Sequence, residues 1–257
     1  MRGRGRSGRW KERSPTARSS EDCRPACIGD RVDRGGEADV DVDPARRLVL
    51  LGGGGHAVVV AEAARDAGWR IAGFFDDNAR AEIGGLGPRL GTLAEARAAY
   101  ASMAEGAFIV AVGGIELRRR LIDEAAACGS AGRFVTVVHP SSAVSRLARV
   151  GAGVYVGAGA VINARAVIGD HAIINTGAIV EHDCNVGANV HVAPGAVLGG
   201  GTKVGADTLI GIRACTIPLI SIGAGCTVGA GAALVRDVGE GVTVVGVPGR
   251  GMATKAT

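Results

Sequence analysis

The 257-residue chain is long enough for one large or two modest domains with real cores. Aromatics make up only 3% while glycine contributes 43 residues, which excludes a core anchored by Phe and Trp and suits thin layers of stacked Val and Ile. The net charge of +4 does not point to a polyanion partner, because its segregation lies within the tail: residues 1–20 carry seven Lys or Arg and one Glu, residues 21–44 eight acids and three Arg.

Residues 1–46 are therefore expected to be a disordered, solvated extension rather than a nucleic-acid arm. The opening "MRGRGRSGRW" has no apolar run and does not read as a secretory signal. No uncharged apolar stretch long enough for a membrane span occurs outside Gly-rich repeats. The six cysteines lack CxxC pairing, which argues against zinc or disulfides and fits reduced thiols in a cytoplasmic protein.

Over residues 47–140 strands alternate with helices. "RRLVLL" reads as a buried strand, the glycines 52–55 as a turn, and His56 to Ala67 as a helix closed by Gly68. "WRIAGFFDDN" is a second strand ending in two aspartates. Thr92 with Glu95 forms a capping box for a helix through about Met103. "AFIVAVGG", a helix from about Glu116 to Cys128, and "RFVTVVHP" complete the alternation, which predicts a small Rossmann-like parallel sheet. A Gly-rich turn followed by an acid also fits a dinucleotide site, but a lone glycine turn is a weak signal.

From Val144 aliphatics recur every six residues to Leu234, with Thr216 the one interruption. Compact residues such as Ala160, Ala178 and Cys184 sit four positions after members of the series. A helix needs a period of about 3.6 and a strand about 2, so neither explains six. A left-handed parallel β-helix does, with the aliphatic pointing inward at every hexad and three hexads making a coil of 18 residues. About five coils are expected within residues 141–250. Cys184, Cys215 and Cys226 fall at or beside small-residue positions, so packing accounts for them.

Asn175, Glu181, His182 and Asp183 occupy hexad positions outside the core and should project from the solenoid. His182 and His191 are nine residues apart, one and a half faces around a three-faced coil, so within one chain they should point in different directions. His171 reads as a surface residue and His139 as shaping the domain junction.

The pieces "GGGGHA", "FFDDN", "AVGGIELRRRL", "VVHPSSAV", "INTGAIVEHDCNVGANVHVAPGAVLGG" and "GVPGR" together resemble the bacterial sugar acyltransferases typified by PglD and NeuD, within the hexapeptide-repeat transferases. The resemblance spans residues 47 to about 250. It implies a homotrimer with active sites between adjacent β-helices, acetyl-CoA along the prism, no metal, and a nucleotide-sugar in the N-terminal domain. The implied reaction is acetyl transfer to a sugar, foremost the amino group of a UDP-linked 4-amino-sugar for a surface glycan. O-acetylation of sialic acid, and a non-catalytic trimer that stabilises another enzyme, are the alternatives.

By the same resemblance His182 is the catalytic base and Asp183 raises its basicity. His191, Gly200 and Ile212 correspond to acetyl-CoA contacts. Gly54, Gly55, His56, Asp76, Asp77, Gly113 and Asn175 correspond to substrate contacts. The chemistry agrees, since an attacking amine must lose a proton and imidazole takes one near neutral pH. A zinc hydratase on the same scaffold would need three gathered histidines, two of them four or five residues apart. Here His171, His182 and His191 are separated by 11 and 9.

Overall fold

The computed structural model describes residues 46–102 and 106–252, so the predicted tail, Cys23, Cys27 and the expected helix end at Met103 lie outside the described residues. The first part alternates β1 (Arg47–Leu51), α1 (Gly55–Asp66), β2 (Arg70–Phe75), β3 (Arg89–Gly91), α2 (Leu93–Ser102), β4 (Ala107–Val110) and α3 (Ile115–Ala127). The four strands form one parallel sheet in the order β3-β2-β1-β4. Leu48 to Leu51 are fully buried because the sheet is covered on both faces. The capping box forms as expected: Thr92 N donates to Glu95 Oε2 at 2.7 Å, and Glu95 N to Thr92 Oγ1 at 3.3 Å.

Two elements differ from the sequence reading. β3 lies in a stretch with no strand pattern and pairs at the sheet edge through Phe74–Arg89 and Phe75–Gly91. "RFVTVVHP" does not complete the first sheet; Phe134 makes one bridge to Phe108, and Val137–Val138 pair instead with Tyr155–Val156. Its alternating apolar residues serve two structures in succession, a distinction that hydrophobicity alone does not encode.

Val137–Val138 opens the left-handed β-helix, built from two-residue strands on three faces. Face 1 includes Val137–Val138, Tyr155–Val156, Ile173–Ile174 and His191–Val192. Face 2 includes Val161–Ile162, Ile179–Val180, Val197–Leu198 and Cys215–Thr216. Face 3 includes Val167–Ile168, Asn185–Val186 and Lys203–Val204. From Val137 to Thr216 each strand pairs with the one 18 residues on, the last coil closing at an offset of 16 through Thr227–Thr243, and the inward column runs Val156, Ile162, Ile168, Ile174, Val180, Val186 and onward, all buried. Cys184 and Cys226 are buried in this column and donate Sγ–H to Gly199 and Gly239 carbonyls. Cys215 is exposed, so packing does not account for it; it is the outward partner of Thr216 in its strand.

The outward side chains of face 1, Tyr155 and Ile173, share a buried cluster with Ala57, Val60 and Ala61 of α1. The N-terminal sheet is thus seated on face 1. Arg118, only 1% exposed, locks the seat from α3. Its Nε donates to Asn189 Oδ1 at 2.6 Å, one terminal nitrogen to the Asn189 carbonyl at 2.8 Å, and the other to the carbonyls of Val112 and Gly113 at 3.1 and 3.0 Å. Asn189 Nδ2 donates to Asp207 Oδ1, which also accepts from Arg119. Among the described residues no helix is long and apolar enough to cross a membrane.

Replacing Arg118 with Met would leave the buried side-chain and carbonyl oxygens of Asn189 without that donor, and we expect a loss of about 3 kcal/mol of stability. Thermal unfolding of the purified variant measures it; a melting temperature within a degree of the parent would contradict this account of the junction.

Candidate active site

The hexad register decides which side chains leave the prism, and at two places they collect. The first is the edge between faces 2 and 3, opposite the face that carries the N-terminal sheet. Here the chain turns after Val180, and Asp183 takes the left-handed conformation at φ 61°. His182 is 59% exposed, and its Nδ1 lies 2.7 Å from Asp183 Oδ2. Arg165 is one coil back at the equivalent left-handed corner, φ 62°, and grips the same carboxylate with two bonds. Its Nε donates to Oδ1 at 2.6 Å and its terminal nitrogen to Oδ2 at 2.7 Å.

That fork, and after it the imidazole, hold the Asp183 carboxyl well below the usual carboxylate range. A carboxylate that stays ionised cannot donate, so Nδ1 carries a ring proton, and in the neutral imidazole this leaves the lone pair on Nε2. A positioned, proton-accepting Nε2 is therefore exposed at the edge.

The floor under the imidazole is Gly200. A Cβ at that position would stand 2.8 Å from both Cε1 and Nε2 of His182, so only glycine leaves room for the reactive side of the ring. Thr216, the one break in the aliphatic series, secures this turn. Its Oγ1 accepts from Gly199 N at 2.9 Å and is 2.9 Å from Thr202 Oγ1, which in turn donates to the Gly199 carbonyl. Gly201 N donates to the His182 carbonyl at 2.9 Å. A polar inward residue, which costs packing, thus fixes the backbone beneath the His182 imidazole.

The second collection lies between α1 and face 1. His191 Nδ1 is 3.1 Å from the Gly113 carbonyl, and its Nε2 is 3.1 Å from Asn175 Nδ2. A carbonyl only accepts and an amide nitrogen only donates, so the ring is neutral with its proton on Nδ1. Burial and then the Arg118 charge push His191 down to about 4. His56 stands 6.3 Å from His191 and edge-on to Tyr155 at 5.5 Å, and is likewise lowered to about 4 by burial and then Arg118. His56 Nε2 and Tyr155 Oη are buried without a hydrogen-bond partner among the described residues, so the cleft is furnished with unused polar atoms.

Glycines 54 and 55 lead into α1, and a Cβ on either would meet only open space, whereas one on Gly52 would come within 2.9 Å of the Ala111 carbonyl oxygen. Asp76 Oδ2 accepts from Gly53 N at 2.7 Å and Oδ1 from Asn78 N at 2.8 Å, so its carboxylate shapes the glycine turn. Asp77 Oδ1 accepts from Leu93 N and caps α2. Ile212 is 54% exposed on the β-helix surface.

The structure keeps His182 and His191 apart within one chain, one on the edge between faces 2 and 3 and the other on face 1. An oxyanion role for His191 would need an N–H at Nε2, but that nitrogen accepts from Asn175 here. His171 is not a simple surface residue: its Nδ1 is buried and its ring packs edge-on to Phe134 at 4.8 Å. His139 shapes the junction, its Nδ1 accepting from Ser141 N at 3.0 Å. Among the described residues no group of three metal-ligating side chains gathers. Sequence reasoning missed Arg165, Arg118, Tyr155 and Thr216. The signal for Arg165 was its offset of 18 residues from Asp183.

A β-helix edge carrying an imidazole oriented by a carboxylate, joined to a small α/β domain, defines an acyltransferase of the hexapeptide-repeat class. Residues 47–125 match the PglD N-terminal domain, and residues 165–200 the bacterial transferase hexapeptide of six repeats. A histidine-to-asparagine variant of perosamine N-acetyltransferase from Caulobacter crescentus, solved in complex with CoA and GDP-perosamine, is 40% identical. The alignment covers 80% of this chain and 96% of that one, with a TM-score of 0.75. The acetyltransferase domain of PglB from Neisseria gonorrhoeae is 38% identical over 80% of this chain and 100% of that one, with a TM-score of 0.75. WeeI from Acinetobacter baumannii, at 23% identity and a TM-score of 0.68, shares the fold. No curated protein matches the chain. The chain belongs to the PglD-like family of sugar acetyltransferases.

Two outcomes follow from this geometry. Gly200→Ala should tilt the imidazole and cut turnover by about 10- to 100-fold while leaving the melting temperature near the parent's; it should add nothing in a chain that already carries His182→Ala. The pH dependence of stability follows from His56 and His191, together with His171, which burial also lowers. The unfolded chain protonates these rings below about 6.5 and the folded one resists, so their contribution is whole above about 6.5 and is lost as pH falls toward about 4. Thermal melts should drop steadily over that interval, with a shallower slope in His191→Gln.

Proposed function

We propose that the protein transfers the acetyl group of acetyl-CoA to the amino group of a nucleotide-linked 4-amino-sugar, with His182 Nε2 as the general base. The observation that carries this reading is the Arg165–Asp183–His182 array above Gly200, which leaves one exposed, proton-accepting nitrogen at a β-helix edge. The amine attacks the thioester carbonyl and passes a proton to Nε2. Asp183 stabilises the imidazolium as the tetrahedral centre forms, and the Gly200 backbone N–H supports the developing oxyanion. The carbon–sulfur bond then breaks, and the departing sulfur takes up the proton held on Nε2. Acetyl-CoA lies along the prism past the exposed Ile212.

The nucleotide-sugar occupies the cleft of Gly54, Gly55, His56, Gly113 and Asn175, with Asp76 and Asp77 building its wall. The acceptor is UDP-linked, as the family resemblance implies, or GDP-linked, like the sugar in the complex of the Caulobacter relative. Cleft and base lie on opposite sides of one prism, so the site is completed by the edge of a neighbouring copy, and a homotrimer with three shared sites satisfies this.

Thiol release from acetyl-CoA, measured with a panel of UDP- and GDP-linked 4-amino-sugars, tests the assignment. His182→Ala should lower turnover by about 10²- to 10⁴-fold. Co-expression of the His182→Ala chain with a chain carrying Gly113→Trp in the cleft should restore activity that neither variant has alone. Retained turnover in His182→Ala would overturn the base assignment, and failure of complementation the shared site.

A further inference from the structure

The edge between faces 2 and 3 carries a group whose chemistry the reaction does not require by itself. We propose that Arg165 is a positioning residue that fixes the Asp183 carboxylate and, through it, the ring tautomer of His182. This rests on the reading of His182 as the base.

The geometry supports it in three ways. First, Arg165 and Asp183 occupy the same left-handed corner of successive coils, and Asp183 N donates to the Ala164 carbonyl at 3.1 Å, so their backbones are held in register. Second, the contact is a two-bond fork, Nε to Oδ1 at 2.6 Å and the terminal nitrogen to Oδ2 at 2.7 Å. A single bond would let the carboxylate rotate, whereas a fork fixes its plane. Third, Oδ2 is also the oxygen that meets His182 Nδ1 at 2.7 Å, so the plane set by Arg165 is the one that presents an acceptor to the imidazole.

An exposed ion pair contributes little to folding, and at 64% and 42% exposure this one is no exception. Its consequence is directional. Without the fork Asp183 is free to swing from Nδ1, and the ring can then place its proton on Nε2, the nitrogen the reaction needs unprotonated. Arg165 also sets a positive charge beside the carboxylate and so tempers how strongly Asp183 favours the imidazolium. The titratable groups next to His182 in its own turn are Glu181, whose Oε2 accepts from His182 N at 3.3 Å, and the buried thiol of Cys184, while Arg146 lies two coils back on the same edge and Arg236 and Asp237 lie three coils on. Below Asp183 the corner column continues with Gly201 and Leu219, neither of which titrates.

Histidine side-chain ¹⁵N–¹H NMR on the full-length protein tests the proposal without any sugar substrate, the His182 signal being identified by its loss in His182→Ala. In the parent, His182 should show the Nδ1–H tautomer. Arg165→Met should bring in the Nε2–H tautomer and Arg165→Lys, which keeps the charge but not the fork, an intermediate mixture. Asp183→Asn should remove the parent tautomer preference, and adding Arg165→Met to it should change nothing further. With the acceptor that the parent turns over, Arg165→Met should lower kcat about ten-fold with the KM for acetyl-CoA unchanged. Melting temperatures should stay near the parent's throughout.

An unchanged His182 tautomer in Arg165→Met overturns the proposal, whatever the activity. A changed tautomer together with full turnover in His182→Ala leaves the positioning intact and overturns only the base reading.

Discussion

Every feature of the site depends on one constraint, the backbone register that sets each residue of the β-helix directly over the residue 18 positions away. That register is held by hydrogen bonds between two-residue strands and by columns of Val and Ile, which shift poorly because a slip of one residue turns the whole column outward. A solenoid of this kind makes one-dimensional order into lateral order. It brings Arg165 to Asp183, Thr216 to the Gly199 turn, and Tyr155 beneath Ile173, although each pair is far apart along the chain. Corners rather than faces carry the polar work, because a corner residue can leave the prism without opening the core.

The junction between the two halves follows a different logic. Arg118 is almost wholly buried, yet the groups its guanidinium touches are carbonyls and one amide oxygen; the nearest carboxylate, Asp207, is reached through Asn189. Burial lowers its affinity for the proton only to about 10, so it stays a cation at neutral pH. The field of that cation acts on both His56 and His191 and helps to keep them neutral. Structure and electrostatics are therefore coupled at one residue: the group that seats the N-terminal sheet on the β-helix also adds to the effect of burial in keeping the cleft histidines neutral. A cleft of neutral rings beside a buried cation favours an anionic occupant over a cationic one.

How much of this was legible in the sequence depends on whether a residue announces itself by pattern or by partner. The hexads, the inward column through Ile174, Val180 and Val186, the capping box at Thr92, and the projection of His182 with Asp183 are local patterns. Register is fixed by a period, so the divergence of His182 and His191 could be read from a count of nine. Arg118 could not be picked from the run Arg118 to Arg120, because three identical side chains differ only in which one is buried against the β-helix. Cys215 reads as a packing residue until the strand shows which of Cys215 and Thr216 points inward. Thr216 reads as a lapse in the series, and only its bond to Gly199 N makes it a device. Asp76 and Asp77 illustrate the converse: a motif located them at the cleft, while their hydrogen bonds show that they also hold its walls.

The separation of His182 from the cleft gives the histidines of this chain contrasting surroundings. A base placed on face 1 would be shielded by the N-terminal sheet and, like His191, depressed by burial and by Arg118 to a pKa near 4. Such a ring would remain neutral but would be too weak a base to hold a proton taken from an amine near neutral pH. At the opposite edge the imidazole keeps its access to solvent, lies remote from Arg118, and gains a carboxylate whose charge is guaranteed by the fork of Arg165. A buried ring kept neutral and an exposed ring held against a carboxylate make opposed demands on a histidine's surroundings. One chain meets both by holding them on different sides of its prism, where burial and the field of Arg118 reach His191 and the fork of Arg165 reaches Asp183.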